Sequence, residues 1–183
     1  MSIMQNNNGF TLVELLVTIT IVGILVSVAV PATRELQARI RVNSAANDFV
    51  ASLKHARSKA VTDRIHTLVN SIDGSLSTNN WAKDGWRVTE ATRAIDGTVV
   101  TIDQRIGLPA SITIKATPAL SSFRFEAGSG TAQFSNGNVF AGVGVTFRVC
   151  DTKTTNEKGR DIIVNQFGRI FIQTHADATK CNL

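Results

Sequence analysis

Gly9-Phe10-Thr11-Leu12-Val13-Glu14 opens an apolar run that continues through Leu15-Leu16-Val17-Thr18-Ile19-Thr20-Ile21-Val22-Gly23-Ile24-Leu25-Val26-Ser27-Val28-Ala29-Val30 and stops at Pro31, with one charged side chain, Glu14, inside it. As a helix rising 1.5 Å per residue, residues 10–30 reach about 31 Å, the hydrocarbon thickness of a bilayer. A lone carboxylate in such a segment costs on the order of 3 kcal/mol to insert, so it needs a partner or a function. The nearest cation is Arg34, roughly 30 Å further along the helix. The partner of Glu14 must come from outside this stretch of chain.

A secretory signal is the competing reading of such a run, because it too has an apolar core followed by small residues. Its start carries Lys or Arg, however, and Met1 to Gly9 has no charged side chain. Val28-Ala29-Val30-Pro31-Ala32 offers only a weak cleavage pattern. Spacing alone leaves open a plain transmembrane anchor, a cleaved signal or a more specialised segment.

The residues themselves favour the last. Gly9 followed by Phe10-Thr11-Leu12-Val13-Glu14-Leu15-Leu16 and an apolar run to Pro31 strongly resembles the class III signal of type IV pilins and type II secretion pseudopilins. The resemblance implies cleavage between Gly9 and Phe10 by a prepilin peptidase, N-methylation of Phe10, and a Glu14 carboxylate that pairs with the terminal amine of a neighbouring subunit. It also implies a single-pass protein of the bacterial inner membrane with a periplasmic domain, which passes into an extracellular pilus on assembly. The partners implied are the peptidase, the major pilin and other minor pilins. The leader relies on the free amine of Met1 where many relatives carry Lys or Arg.

Beyond Pro31 the pattern becomes amphipathic, with Leu36, Ile40, Ala46, Phe49, Val50, Leu53, Ala56 and Ala60 recurring mostly at three- and four-residue steps. The other face carries Arg34, Arg39, Arg41, Lys54, His55, Arg57 and Lys59 against Glu35 and Asp48. That face reads as a solvated helix surface, with contact to anionic lipid or nucleic acid as the alternative. Pro31 removes a backbone donor and disfavours helix at Val30, so a kink or local melt is expected there, with Gly23 a second weak point.

From about Arg64 the chain reads as β structure. Ile65 to Val69, Val99 to Ile102, Ile112 to Ile114, Phe123 to Phe125 and Val145 to Cys150 are strand candidates. Turns fall at Asp73-Gly74, Gly128-Ser129-Gly130, Asn136-Gly137-Asn138 and Gly142-Val143-Gly144. Asp161 to Val164 and Arg169 to Gln173 form a hairpin across Asn165-Gln166-Phe167-Gly168. The expected organisation is a leader (1–9), a membrane or filament-core helix (10–30), an amphipathic helix (31–62) and a β-rich domain (63–183). The fold class is α+β: a pilin fold, its long hydrophobic N-terminal helix packed on a C-terminal antiparallel sheet domain.

A periplasmic or extracellular setting makes oxidation the default for Cys150 and Cys181. A bridge between them would tie the C-terminal tail to a strand and stabilise by roughly 3 to 4 kcal/mol in the chain-entropy model. No C-x-x-C pattern supports a metal or redox centre, and no cofactor is expected.

Within the pilins, Trp81-Ala82-Lys83-Asp84-Gly85-Trp86-Arg87-Val88 and Gly159-Arg160-Asp161-Ile162-Ile163-Val164, followed by Gly168-Arg169-Ile170, resemble the GspH/FimT family of minor pilins and pseudopilins. Trp81 and Trp86 read as core residues. The resemblance implies a minor pilin that primes or joins a pilus tip complex and supports pilus assembly, twitching motility and adhesion. One alternative is a DNA-binding minor pilin. FimT-type relatives carry Gly-Arg-x-Arg near the C-terminus, here Gly168-Arg169-Ile170-Phe171, with Phe in place of the second Arg. Arg160, Arg169 and Lys180 are the candidate DNA contacts, and a net charge of +5 with a pI of about 9.7 favours polyanions in general. The other alternative is a pseudopilin of type II secretion. No enzyme is expected: His55, His66 and His175 have no Ser, Cys or Asp partner at a recognised spacing, and Gly-x-Ser-x-Gly is missing.

Overall fold

The computed structural model describes residues 10–74, 79–91, 99–135, 144–153 and 159–175. The chain divides into two units, Met1–Gln37 and Ala38–Leu183. A 51-residue helix, α1 (Leu12–Thr62), supplies both.

In the first unit the helix begins with an N-cap. Thr11 precedes the first helical residue, and its hydroxyl accepts the Glu14 backbone N–H at 3.2 Å. This satisfies one of the orphan donors of the first turn. Within the apolar run Thr18, Thr20 and Ser27 turn their hydroxyls back to the carbonyls of Leu15, Leu16 and Ile24, at 2.8, 2.8 and 2.7 Å. Their polarity is thereby spent inside the helix. No melt occurs at Pro31, where a break was expected: α1 is helical throughout. Proline's fixed φ is itself compatible with helix, and what it costs is one hydrogen bond and a local clash.

In the second unit α1 lies against two antiparallel sheets. Sheet A comprises β1 (Thr67–Ser71), β2 (Gly85–Glu90), β3 (Thr101–Ile106), β5 (Ser122–Phe125) and β6 (Ala132–Ser135), in the order β3-β2-β1-β5-β6. Sheet B comprises β4 (Ile112–Thr117), β7 (Val145–Asp151), β8 (Arg160–Val164) and β9 (Ile170–Thr174), in the order β4-β7-β8-β9. The helix stripe that meets them is Ala38, Val42, Ala45, Ala46, Phe49, Leu53, Ala56 and Ala60, all buried. Phe49 is its centre. The ring stands edge-on to Trp86 of β2 at 4.8 Å, to Phe147 of β7 at 4.9 Å and to Trp81 at 5.9 Å, so helix and both sheets share one core. Trp81 also donates its indole N–H to the Leu120 carbonyl at 3.0 Å.

The helix phase differs from the expected one. Leu36 and Ile40, expected on the buried face, are each 58% exposed, while Ala38 and Val42 are buried. At 3.6 residues per turn, positions 36 and 40 lie about 140° and 180° around the helix from Phe49, whereas 38 and 42 lie within about 20° of it. The small alanines let the helix approach the sheets, and the larger Leu36 and Ile40 turn away.

The expected strands exist with ends shifted by at most four residues, and two were not foreseen. β2 lies inside the Trp81–Val88 segment, and β6 is four residues long with a single aromatic. The hairpin across residues 165–168 is present: β8 and β9 pair from Val164↔Ile170 to Arg160↔Thr174, and Gly168 takes a positive φ of 70°. Gly74 and Gly128–Gly130 also turn as expected. The turns at residues 136–138 and at 142 and 143 lie outside the described residues.

Candidate functional site

The first candidate site is the start of α1. Phe10 is 78% exposed, and from Phe10 to Val26 twelve large apolar side chains stand more than 48% exposed on every side of the helix. A helix that is apolar all round is stable only when something apolar surrounds it. Glu14 projects from this surface with no side-chain partner among the described residues. Among the described residues no helix is long and apolar enough to cross a membrane. Gly9 lies outside the described residues.

The second is the basic C-terminal region. Arg160 opens β8 and its guanidinium reaches the Gly159 carbonyl at 2.8 Å, whereas Arg169 precedes β9 at the closed end of the hairpin. The register sets them four residue pairs or more apart, on the order of 14 Å, so Arg160 and Arg169 do not cluster. Lys180 lies outside the described residues. Arg169 instead shares a groove with α1. About 600 Å³ in volume, the groove is lined by Lys54, Arg57, Val61, Arg169, Ile170 and Phe171, among others.

Much of the helix's basic face is engaged. Arg41 forms an ion pair at 2.8 Å with Asp151, whose side chain is fully buried, and Lys59 pairs with Asp63 at 2.8 Å. That hydrogen bond holds the Asp63 carboxyl below the usual aspartate range and raises Lys59. Arg57 donates to the Gly130 and Phe167 carbonyls at 3.2 and 3.3 Å, so it clamps the β5–β6 turn to the β8–β9 turn.

Two histidines, His175 and His66, have acidic neighbours that are distant in sequence. His175 Nδ1 lies 2.7 Å from Asp161 Oδ2, and Arg148 Nε donates to Asp161 Oδ1 at 3.0 Å. Both His175 and Asp161 are buried. His66 Nδ1 is 2.9 Å from Glu126 and accepts the Ala127 N–H. Strand pairing across the chain supplies these partners, which no local spacing reveals. Cys150 is disulfide-bonded, and its expected partner, Cys181, lies outside the described residues. Among the described residues no three His, Cys, Asp or Glu side chains gather to hold a metal.

The family model for type II transport protein GspH matches residues 45–168, about two thirds of the chain. The chain belongs to the GspH family. The matched span of this GspH-family chain contains the Phe49 core and all strands except β9. A second model, the prokaryotic N-terminal methylation motif, matches residues 4–30 and so covers Gly9, Phe10 and Glu14. Two curated fimbrial proteins of Pseudomonas aeruginosa are each 37% identical over 60 residues, 33% of this chain. The match spans 38% of their length. Two crystal forms of the type IV minor pilin FimU from Pseudomonas aeruginosa share the fold. They have TM-scores of 0.52 and 0.55 at 24% identity, with 72% and 74% of this chain and 91% and 90% of FimU covered. The pilin fold expected from the sequence is therefore the fold observed.

Proposed function

We propose that this GspH-family chain is a minor subunit of a type IV pilus. It is cut by prepilin peptidase between Gly9 and Phe10, methylated on the new amine of Phe10, and held in the inner membrane through residues 10–30 until it enters the fibre. There it primes or joins the tip complex with the major pilin and other minor pilins, in support of assembly, twitching motility and adhesion. The observation that carries this reading is the sleeve of exposed apolar side chains from Phe10 to Val26 around one unpaired carboxylate, Glu14. Lipid covers such a sleeve before assembly, and neighbouring helices cover it afterwards. In this reading the cation comes from a neighbouring subunit, as the methylated amine of its Phe10. A charge pair in apolar surroundings is strong, and removing one member is expensive.

The test is mass spectrometry of the protein from cells that carry the pilus machinery. A mature chain beginning at Phe10 and one methyl group heavier supports the reading, and a chain that keeps its leader in those cells contradicts it. The family's description as a transport protein favours a second reading, a minor pseudopilin of type II secretion. Cross-linking to major pilin in sheared fibres, against cross-linking to secretion components, separates the two. Direct DNA binding draws less support, since Arg160 and Arg169 stand at opposite ends of the hairpin.

A further inference from the structure

Among the described residues sheet B ends at β9 in an unpaired edge. Among the described strands β9 pairs with β8 alone. The Asn165 N–H donates to the Arg169 carbonyl and the His175 N–H to the Gly159 carbonyl. Hydrogen-bonded pairs alternate along an antiparallel ladder. Positions 169, 171, 173 and 175 therefore turn their backbone groups to β8, while Ile170, Ile172 and Thr174 turn theirs outward. Natural edges are commonly blunted by charges, proline or a bulge. The sheet A edge has such protection: β3 carries Asp103 and Arg105, and its ladder is irregular at Val88/Thr89. β9, Ile-Phe-Ile-Gln-Thr, has no charge, no proline and a regular register, with Phe171 and Ile172 49% and 46% exposed.

The groove between α1 and β9 runs beside this edge. Lys54, Arg57 and Arg169 line it, and no carboxylate does so among the described residues. Arg57 is engaged with two carbonyls, while the side chains of Lys54 and Arg169 have no acidic partner among the described residues.

We propose that β9 and this groove receive an extended segment of another protein, acidic and apolar in alternation, which joins sheet B as a fifth strand. Its backbone pairs with the outward groups of Ile170, Ile172 and Thr174. Alternation sends successive side chains to opposite faces, so carboxylates on the helix side meet Lys54 while apolar side chains on the other cover Phe171, and Arg169 at the turn end of the strand adds to the positive charge that attracts an acidic segment. A second copy of this chain is a poor occupant, since each copy carries a net charge of +5. A nucleic acid satisfies the cations but not the edge, because a phosphate backbone offers acceptors alone and β9 presents carbonyls as well as N–H groups. The groove binds such a segment whether or not the chain enters a filament.

The test uses the full chain in detergent micelles and fluorescence anisotropy with three labelled probes: a blocked eight-residue peptide of alternating valine and glutamate, its valine–lysine counterpart, and octathymidylate. The glutamate peptide is expected to bind, and the other two at least about tenfold more weakly. Ile172→Pro removes one outward N–H and leaves the β8 ladder intact, so it should weaken binding of the glutamate peptide by about tenfold. The double variant Lys54→Glu and Arg169→Glu lies on the surface and should reverse the preference between the peptides, an informative result even if the proline variant fails to fold. Failure of the glutamate peptide to bind overturns the proposal. So does tighter binding of octathymidylate, binding unchanged by Ile172→Pro in protein with an unaltered circular dichroism spectrum, or a charge preference that survives the double variant.

Discussion

Gly168 lies against Gly130 so closely that a Cβ on Gly168 would clash with the Gly130 carbonyl oxygen. The same carbonyl accepts the Arg57 Nε proton, and the Ala132 N–H donates to the Gln166 carbonyl at 3.0 Å alongside. The β8–β9 turn of sheet B and the β5–β6 turn of sheet A are thus joined at one point, under a cation from α1. Gly168 also has a positive φ of 70°, which a side chain resists.

Gly168→Ala should therefore destabilise the domain by roughly 2 to 4 kcal/mol, the sum of backbone strain and a displaced contact. Gly128→Ala is the control. Its φ is also positive but the space around it is open, so about 1 kcal/mol is expected. Urea unfolding followed by tryptophan fluorescence compares the two, since Trp81 and Trp86 are both in the core.

Phe49→Ala removes the ring that contacts both sheets and should cost about 3 to 5 kcal/mol in the same assay. Leu36→Ala and Ile40→Ala should change unfolding by less than about 0.5 kcal/mol, because both side chains are exposed in the single chain. Their effect is expected in the fibre instead, as a lower yield of the subunit in sheared pili.

Asp161→Ala leaves Arg148 and the buried His175 without their shared acceptor and should cost about 2 to 4 kcal/mol, discounted for the part-exposed arginine. His175→Ala should cost less, because Arg148 then keeps its carboxylate. Thermal unfolding under oxidising conditions ranks the two variants.

The Lys59–Asp63 pair gives a pH dependence of known sign. The hydrogen bond from Lys59 lowers the Asp63 carboxyl, so its contribution is present above the unfolded aspartate value and is lost as pH falls through the folded one. NMR titration should find the Asp63 carboxyl below the ordinary range, and Lys59→Met should move it upward.

How much of this was legible beforehand depended on how local each signal is. The apolar run, the end of α1 at Thr62 and the 165–168 hairpin are written in contiguous residues, and each stands where it was expected. The helix phase was misjudged at Leu36 and Ile40. Ala46, Phe49, Val50, Leu53, Ala56 and Ala60 are buried as the periodicity predicts, but nearer the first unit the stripe continues through Ala38, Val42 and Ala45, small side chains that a pattern of large apolar residues does not mark. Asp161 with His175, and Arg169 with Lys54, are brought together by strand order, which residue spacing does not encode. The N-cap bond from the Glu14 backbone N–H to Thr11 leaves the Glu14 carboxylate itself unengaged among the described residues.

Glu14→Gln isolates the charge. Glutamine keeps the length of the side chain and the backbone N–H that Thr11 caps, but it carries no charge to pair with a neighbour's amine. The decisive measurement is the amount of this variant in sheared fibres relative to the membrane fraction, by immunoblot, in cells that process it normally. A cut and methylated chain that stays in the membrane, with fibre content reduced at least about tenfold, is the expected result. Glu14→Gln recovered in fibres at the unaltered level, cross-linked to the same partners, contradicts the filament joint proposed for Glu14.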